Sequence, residues 1–322
     1  MGVLRAAALG LLLATLLPRG YARADEPLLL EEDPKPNYHL VGWLNTFVPG
    51  GGQFLLGNSF EGGFQAASEM FTFGLGYSLS ALHPLTIDGV PEQLPIFSRP
   101  TRTTQADLSV PLYADILQEF GIKYHMVNVF DAYREAARRA GVTEGIDQTP
   151  MNELFLKPFS SETLTDPWVY VPIGIITAYT LADYYTSRGS VVRNQRITPY
   201  SNFLYTVNYG FVQPFGSGVP EEAFFRGFLQ NELNYGTGTP WLAIPAQATL
   251  FAFMHAPGAG RITAGISGLY LGYLAERYKG SLGPGITVHF WGVVLLGIDT
   301  ILLNNEAQRT TPPTGLYVQI SY

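Results

Sequence analysis

The chain has 322 residues, of which 47% are hydrophobic and only 14% are charged, and its formal net charge is -7 at pH 7. Soluble proteins carry about 25% charged residues, so this composition favours a membrane protein, and the acidic balance argues against a nucleic-acid partner. The absence of cysteine excludes disulfides, thiolate metal sites and a cysteine nucleophile.

Residues 1–24 are typical of a secretory signal peptide. Arg5 provides the positive start, Ala6 to Leu17 form a short apolar core, and Ala22-Arg23-Ala24 is a small-x-small cleavage site. This core is shorter than the roughly 20 apolar residues that a membrane-spanning helix needs. We therefore predict Sec-type targeting, with an uncleaved N-terminal anchor as the alternative.

Residues 25–83 are predicted as an N-terminal segment with an amphipathic or re-entrant part, broken at Pro49, and a membrane helix over residues 62–82. Glu69 lies inside that helix. A carboxylate at this position faces either the bundle interior or a membrane interface, and the sequence leaves both open.

Residues 84–166 carry more charge, and we predict an extramembrane insertion of short helices and loops without catalytic residues. Residues 127–140 have the apolar spacing of an amphipathic helix. The histidines at His39, His83 and His125 belong to no motif and are predicted as surface or loop residues.

Residues 167–304 are predicted as the membrane core, and residues 305–322 as a polar tail. The helices are expected over residues 168–186, 200–216, 219–235, 241–257, 262–276 and 284–304. These apolar runs do not show the period-two alternation of membrane barrel strands. The predicted fold class is therefore all-α, a polytopic transmembrane helical bundle with an N-terminal signal peptide and a small extramembrane helical insertion.

The helix expected over residues 219–235 carries two adjacent glutamates. Pro220 suits the first position of a helix, and Glu221 and Glu222 suit its positive end. Glu222 and Arg226 are four residues apart, so they share a face and are expected to pair. Glu221 is rotated from Glu222 by about 100°, which leaves it to face a cavity as a general base.

Two further helices contribute His255, with Phe251 one turn before it, and His289. Ionisable residues in apolar segments are costly and are by default candidates for a functional site. Side chains on three helices converge only in a bundle core. We predict that Glu221 and His255 activate a water, that His289 donates to the oxyanion of a tetrahedral intermediate, and that Phe251 shapes the pocket wall.

The pattern Glu-Glu-x-x-x-Arg, Phe-x-x-x-His and a late histidine resembles the CAAX protease and bacteriocin-processing (CPBP, Abi) family of intramembrane proteases over roughly residues 168–304. The resemblance implies that Glu221 and His255 activate water, that His289 helps form the oxyanion hole, and that Glu222 holds Arg226. It implies an endopeptidase in the lipid bilayer that cleaves peptides or membrane-associated proteins. With a signal peptide, the expected location is the bacterial inner membrane.

One position departs from the family pattern. The fourth residue after the late histidine is usually asparagine in the family, but here it is Val293, which has no hydrogen-bond donor in its side chain. Loss of one oxyanion donor costs about a hundredfold or more in rate. Gln247, two turns before His255, is a conceivable replacement.

Two alternatives remain from the residues alone. No cofactor is required by the proposed chemistry, but two glutamates and two histidines also suit a divalent metal, which Glu221, His255 and His289 would bind. The second alternative is a non-catalytic membrane scaffold or immunity-type protein on the same fold, and Val293 favours it.

Overall fold

The computed structural model describes residues 35–82, 109–188, 198–255 and 258–310. These residues form helices, turns and connecting loops, with no β-strand among them. The all-α fold class is therefore confirmed. The predicted signal peptide, His83 and residues 311–322 of the predicted tail lie outside the described residues.

The N-terminal part consists of α1 (Tyr38–Phe47), α2 (Gly51–Leu55) and α3 (Ser59–Leu82). The chain breaks between α1 and α2 beside Pro49, as predicted. Gly50 adopts φ +74° there, and a Cβ on it would lie 2.0 Å from a backbone oxygen of α3. Only glycine accommodates both this conformation and this approach.

The next helix, α4 (Ser109–Ala140), is 32 residues long. Its apolar face is buried against its neighbours through residues such as Met126, Phe130 and Tyr133. The amphipathic prediction over 127–140 is confirmed, but the prediction of only short helices is wrong for 109–140, because this face continues along the helix. Short elements follow it, namely α5 (Met151–Leu154), a 3₁₀ turn (Lys157–Phe159) and α6 (Ser161–Leu164).

Helix α7 (Pro167–Ser187) begins at Asp166, whose side chain accepts a hydrogen bond from the backbone N–H of Trp168. A long helical segment over residues 199–237 comes next. It is made of α8 (Pro199–Val207), a first π-helical stretch (Asn208–Val212), α9 (Gln213–Glu222), a second π-helical stretch (Ala223–Leu229) and α10 (Gln230–Thr237).

The prediction that a helix starts at Pro220 is wrong, because Pro220 lies inside α9. A proline in a helix interior lacks an N–H donor and crowds the preceding turn. The helix nevertheless continues, and its hydrogen bonding changes to the wider π pattern directly after Glu222. Such stretches often accompany functional sites. Glu221 and Glu222 therefore lie in mid-segment, without a free helix N-terminus.

The last helices are α11 (Pro240–Phe253), α12 (Ala259–Arg277) and α13 (Gly283–Thr310). Helix α13 packs against α7 and α9, and α11 packs against α12. Helix α4 packs against α9 and the second π stretch, where a Cβ on Gly227 would lie 2.5 Å from the Phe130 ring. α4 thus lies close to the helical segment that carries Glu221 and Glu222, here called the motif helix. As a result, the part of α4 that lies two turns before Phe130 is beside Glu221.

Within the described ranges, one helical segment, Gly283–Glu306, is long and apolar enough to cross a membrane by length and composition. The spans predicted for the other helices do not meet this criterion, so the number of membrane passes stays a prediction.

Candidate active site

The Glu221 side chain is buried between α9, α4 and α13. Its Oε1 forms an ion pair with Nζ of Lys123 on α4, which lies 98 residues earlier in the chain. Lys123 is also 3.7 Å from Glu119, which is partly exposed at 36%. The ammonium thus compensates the buried carboxylate. The second carboxylate oxygen of Glu221, Oε2, is buried and has no hydrogen-bond partner in the protein.

Glu222 and Arg226 form the predicted ion pair, with Nη1 of Arg226 2.9 Å from Oε1 of Glu222. Both side chains are buried, with exposures of at most 2%. The guanidinium also donates to the backbone oxygen of Gly268 on α12 at 3.3 Å and lies 4.5 Å from the centroid of the Phe251 ring. The pair therefore joins the motif helix to α11 and α12.

His289 on α13 lies between the two glutamates. Its Nδ1 is 2.8 Å from Oε1 of Glu222, and its Nε2 is 3.6 Å from Oε2 of Glu221. Since an ionised carboxylate only accepts hydrogen bonds, Nδ1 carries a hydrogen and Nε2 faces Glu221. Nε2 of His289 and the unpartnered oxygen of Glu221 thus face each other.

His255 lies two residues after the end of α11. Its Nδ1 is 2.8 Å from the backbone oxygen of Phe251, so Nδ1 carries the hydrogen and Nε2 is left for other contacts. It is within electrostatic range of Glu221. The Phe251 ring is 4.5 Å from the His255 ring and 5.9 Å from the His289 ring between centroids. Phe251 therefore forms the wall between the two histidines.

The alternative donor Gln247 is not directed at this point. It is fully buried, and its Nε2 donates to the backbone oxygen of Gly268 at 2.9 Å. Gln247 thus links α11 to α12 through the same backbone oxygen that Arg226 contacts. Val293 follows His289 by one turn on α13 and brings no donor.

The arrangement is only a partial fit to a metal. Oε2 of Glu221 and Nε2 of His289, at 3.6 Å, are spaced suitably for one shared ion. Among the residues that the structure describes, however, no group of three or more His, Asp or Glu side chains has the arrangement of a metal site. Oε1 of Glu221 and Nδ1 of His289 are already engaged by protein groups.

The sequence reasoning missed Lys123. Lys123 lies four residues before Val127 and therefore continues the buried face of the amphipathic helix. Because a lysine is almost never fully buried unless it is paired, a lysine on this face indicates a buried acidic partner. Two histidines predicted as surface or loop residues are also placed differently. His39 is 2.6 Å from Glu232, and His125 is 2.7 Å from Glu69.

Glu69 is 5% exposed and therefore faces the interior, which settles the choice left open by the sequence. Asn128 donates to its other oxygen at 2.6 Å. Nε2 of His125 is 3.1 Å from the backbone oxygen of Thr46. This cluster connects α1, α3 and α4. It is separate from the Glu221 carboxylate, and its satisfied bonds indicate a structural role.

A comparison with protein families matches residues 202–294 to a model described as type II CAAX prenyl endopeptidase Rce1-like. No curated protein and no solved structure shows a significant match to the chain. The matched segment contains both glutamates, Arg226, Phe251 and the two histidines of the site. Residues 202–294 are thus similar to the CAAX protease family, which agrees with the resemblance that the motifs indicate.

Proposed function

We propose that the protein is a membrane endopeptidase that hydrolyses peptide bonds with a water activated by Glu221 and His255. The observation that carries this proposal is the Oε2 atom of Glu221. It is buried, has no protein partner and faces Nε2 of His289 at 3.6 Å. Most buried side-chain polar atoms are hydrogen-bonded, so an unpartnered carboxylate oxygen that faces an imidazole nitrogen suits a reactant.

In the proposed reaction, water donates its proton to Oε2 of Glu221 while its oxygen attacks the carbonyl carbon of the substrate. Nε2 of His255 accepts the second hydrogen bond of this water and orients it. His289, in its imidazolium form, donates from Nε2 to the oxyanion, and Glu222 holds its Nδ1–H. The proton on Glu221 then passes to the leaving amine as the carbon–nitrogen bond breaks.

Lys123 has a positioning role in this scheme. Its ion pair with Oε1 of Glu221 leaves Oε2 as the oxygen available to water. No cofactor is needed. If a divalent metal binds, Glu221, His255 and His289 are the residues that would hold it, and it would supply Lewis-acid polarisation of the carbonyl.

The surface supports a location in the lipid bilayer. Large apolar side chains are exposed on several helices, for example Phe71 at 56%, Ile175 at 66%, Trp241 at 80% and Ile266 at 65%. Extensive exposed apolar surface indicates a membrane or a partner. We infer a multi-pass protein of the bacterial inner membrane. Its substrates are peptides or membrane-protein segments, without a nucleic-acid partner.

Peptide termini in membranes from cells with the wild-type protein and with Glu221→Gln test this function. New termini are expected only with the wild type. Glu232→Gln is the matched control, because Glu232 is a buried glutamate on the same helical segment, outside the site. Equal termini in wild type and Glu221→Gln, at equal protein levels, would refute the proposal.

The second candidate is a non-catalytic membrane scaffold or immunity-type protein, which the missing donor at Val293 favours. It predicts that Glu221→Gln and His255→Ala both complement a deletion strain fully. Failure of both variants at normal protein levels counts against it.

A further inference from the structure

One ammonium group is shared by two carboxylates at the edge of the candidate active site. Nζ of Lys123 forms an ion pair with Oε1 of Glu221 and lies 3.7 Å from Oε2 of Glu119. The Glu221 side chain is 6% exposed, that of Lys123 is 14% exposed and that of Glu119 is 36% exposed. Lys123 therefore lies between a buried carboxylate inside the site and a partly exposed carboxylate outside it.

The spacing of residues along α4 produces this arrangement. Glu119 and Lys123 are four residues apart, so their side chains lie on one face of the helix. The same face carries Asp115 one turn further from the site, where it accepts a hydrogen bond from Asn208 at 3.3 Å. Asp115 precedes Lys123 by eight residues, which corresponds to about 12 Å along the helix. Of these two acids, Glu119 is therefore the counter-charge that reaches Lys123.

The proposed reaction changes the charge on only one side of Lys123. When Oε2 of Glu221 takes a proton from the attacking water, the carboxylate becomes neutral and its charge no longer compensates the ammonium. A buried cation without a counter-charge is strongly unfavourable, and this cost would oppose the proton transfer. Glu119 keeps its charge during this step, so Lys123 remains paired until the proton has passed from Glu221 to the leaving amine.

We propose that Glu119 is a positioning residue that acts through Lys123, as the counter-charge that the lysine keeps throughout the reaction cycle. The inference rests on the proposed function, because it takes Glu221 as the base that accepts the proton. The benefit of Glu119 arises in the transition state, where Glu221 is losing its charge. An interaction that is made only in the transition state contributes to kcat and leaves KM unchanged.

Steady-state kinetics of Glu119→Gln in the full chain, on peptides that the wild type cleaves, test the proposal. The substitution removes the charge and keeps the size of the side chain. We expect kcat to fall about fivefold with KM unchanged, in the range of an ion pair with one partly exposed partner. Glu119→Asp keeps the carboxylate and should recover part of the rate. Asp131→Asn is the matched control, because Asp131 is also on α4, is 38% exposed and pairs with Arg134. Its kcat should equal that of the wild type.

A double-mutant cycle shows whether Glu119 acts through Lys123. In a Lys123→Met background, Glu119→Gln should change kcat by less than about twofold, because no ammonium is left to compensate. The proposal is overturned if the two losses multiply in the double variant, or if Glu119→Gln alone keeps the wild-type kcat. It is also overturned if thermal unfolding shows that the rate falls only with the folded fraction. Cleavage that persists in Glu221→Gln instead refutes the proposed function, so the two failures are distinguishable.

Discussion

The imidazole of His289 donates from Nδ1 to Oε1 of Glu222 over 2.8 Å. Its other nitrogen faces Oε2 of Glu221 at 3.6 Å. Two glutamates adjacent in sequence thus meet opposite nitrogens of one ring. Oε1 of Glu222 contacts both Arg226 and His289, whereas Oε2 of Glu221 has no protein partner. The same substitution should therefore have different effects at the two positions.

Glu221→Gln should abolish cleavage with a smaller loss of stability than Glu222→Gln, because Lys123 keeps a second carboxylate, Glu119, at 3.7 Å. Glu222→Gln should lower the free energy of unfolding by about 3–5 kcal/mol, because it leaves the Arg226 charge buried and unpaired. Denaturant or thermal unfolding in detergent measures the difference. Glu222→Gln combined with Arg226→Met should recover part of the loss. Equal destabilisation by both single variants would contradict this division of roles.

Lys123→Met should lower the cleavage rate at least tenfold, because the Glu221 carboxylate would lose the cation that fixes its Oε1. Lys123→Arg keeps the charge and should recover part of the rate. Initial rates on peptides identified from the termini experiment measure the effect, with kcat and KM separated. The loss should fall on kcat if Lys123 positions the base. Lys157→Met, which removes a lysine outside the site, should leave kcat unchanged.

The parts of the site that follow from local spacing were predictable from the sequence. The Glu222–Arg226 pair depends on a four-residue separation within one helix, and that geometry holds in mid-segment as well as at a helix start. The helix start predicted at Pro220 was wrong because local residue preferences were the only guide. Proline is common at helix starts, and no local pattern indicates that the helix continues past Pro220 into a π-helical stretch.

Contacts between distant segments were not predictable in the same way. Lys123 reaches Glu221 because Gly227 admits the Phe130 ring and brings α4 against the motif helix. Nothing in the local pattern of either segment specifies this contact. Gln247 was likewise ambiguous, because a buried amide serves equally as a catalytic donor or as a link between helices until its partner, the backbone oxygen of Gly268, is known.

Gly272→Ala should destabilise the fold by about 1–3 kcal/mol, the usual cost of overpacking. A Cβ there would lie 2.5 Å from Nε2 of Gln247 and 2.8 Å from Oε1 of Gln230, both buried. Gly174→Ala on α7 is the matched control. A Cβ at Gly174 meets nothing within 4 Å, so alanine should stabilise this helix by about 0.5–1 kcal/mol. Thermal unfolding of both variants measures these changes in stability. A Gly272→Ala variant as stable as the wild type would show that the buried glutamine side chains move to make room for the methyl group.

Val293→Asn tests whether the candidate active site lacks an oxyanion donor. Position 293 is one turn after His289 on α13, so a side chain there lies on the same face of the helix as the imidazole. An added amide donor should raise kcat by about tenfold to a hundredfold, within the range assigned to single oxyanion donors, with little change in KM. Val293→Leu keeps the position apolar and should leave kcat near the wild-type value. If asparagine and leucine have the same effect, the oxyanion is held elsewhere, with His289 as the remaining donor.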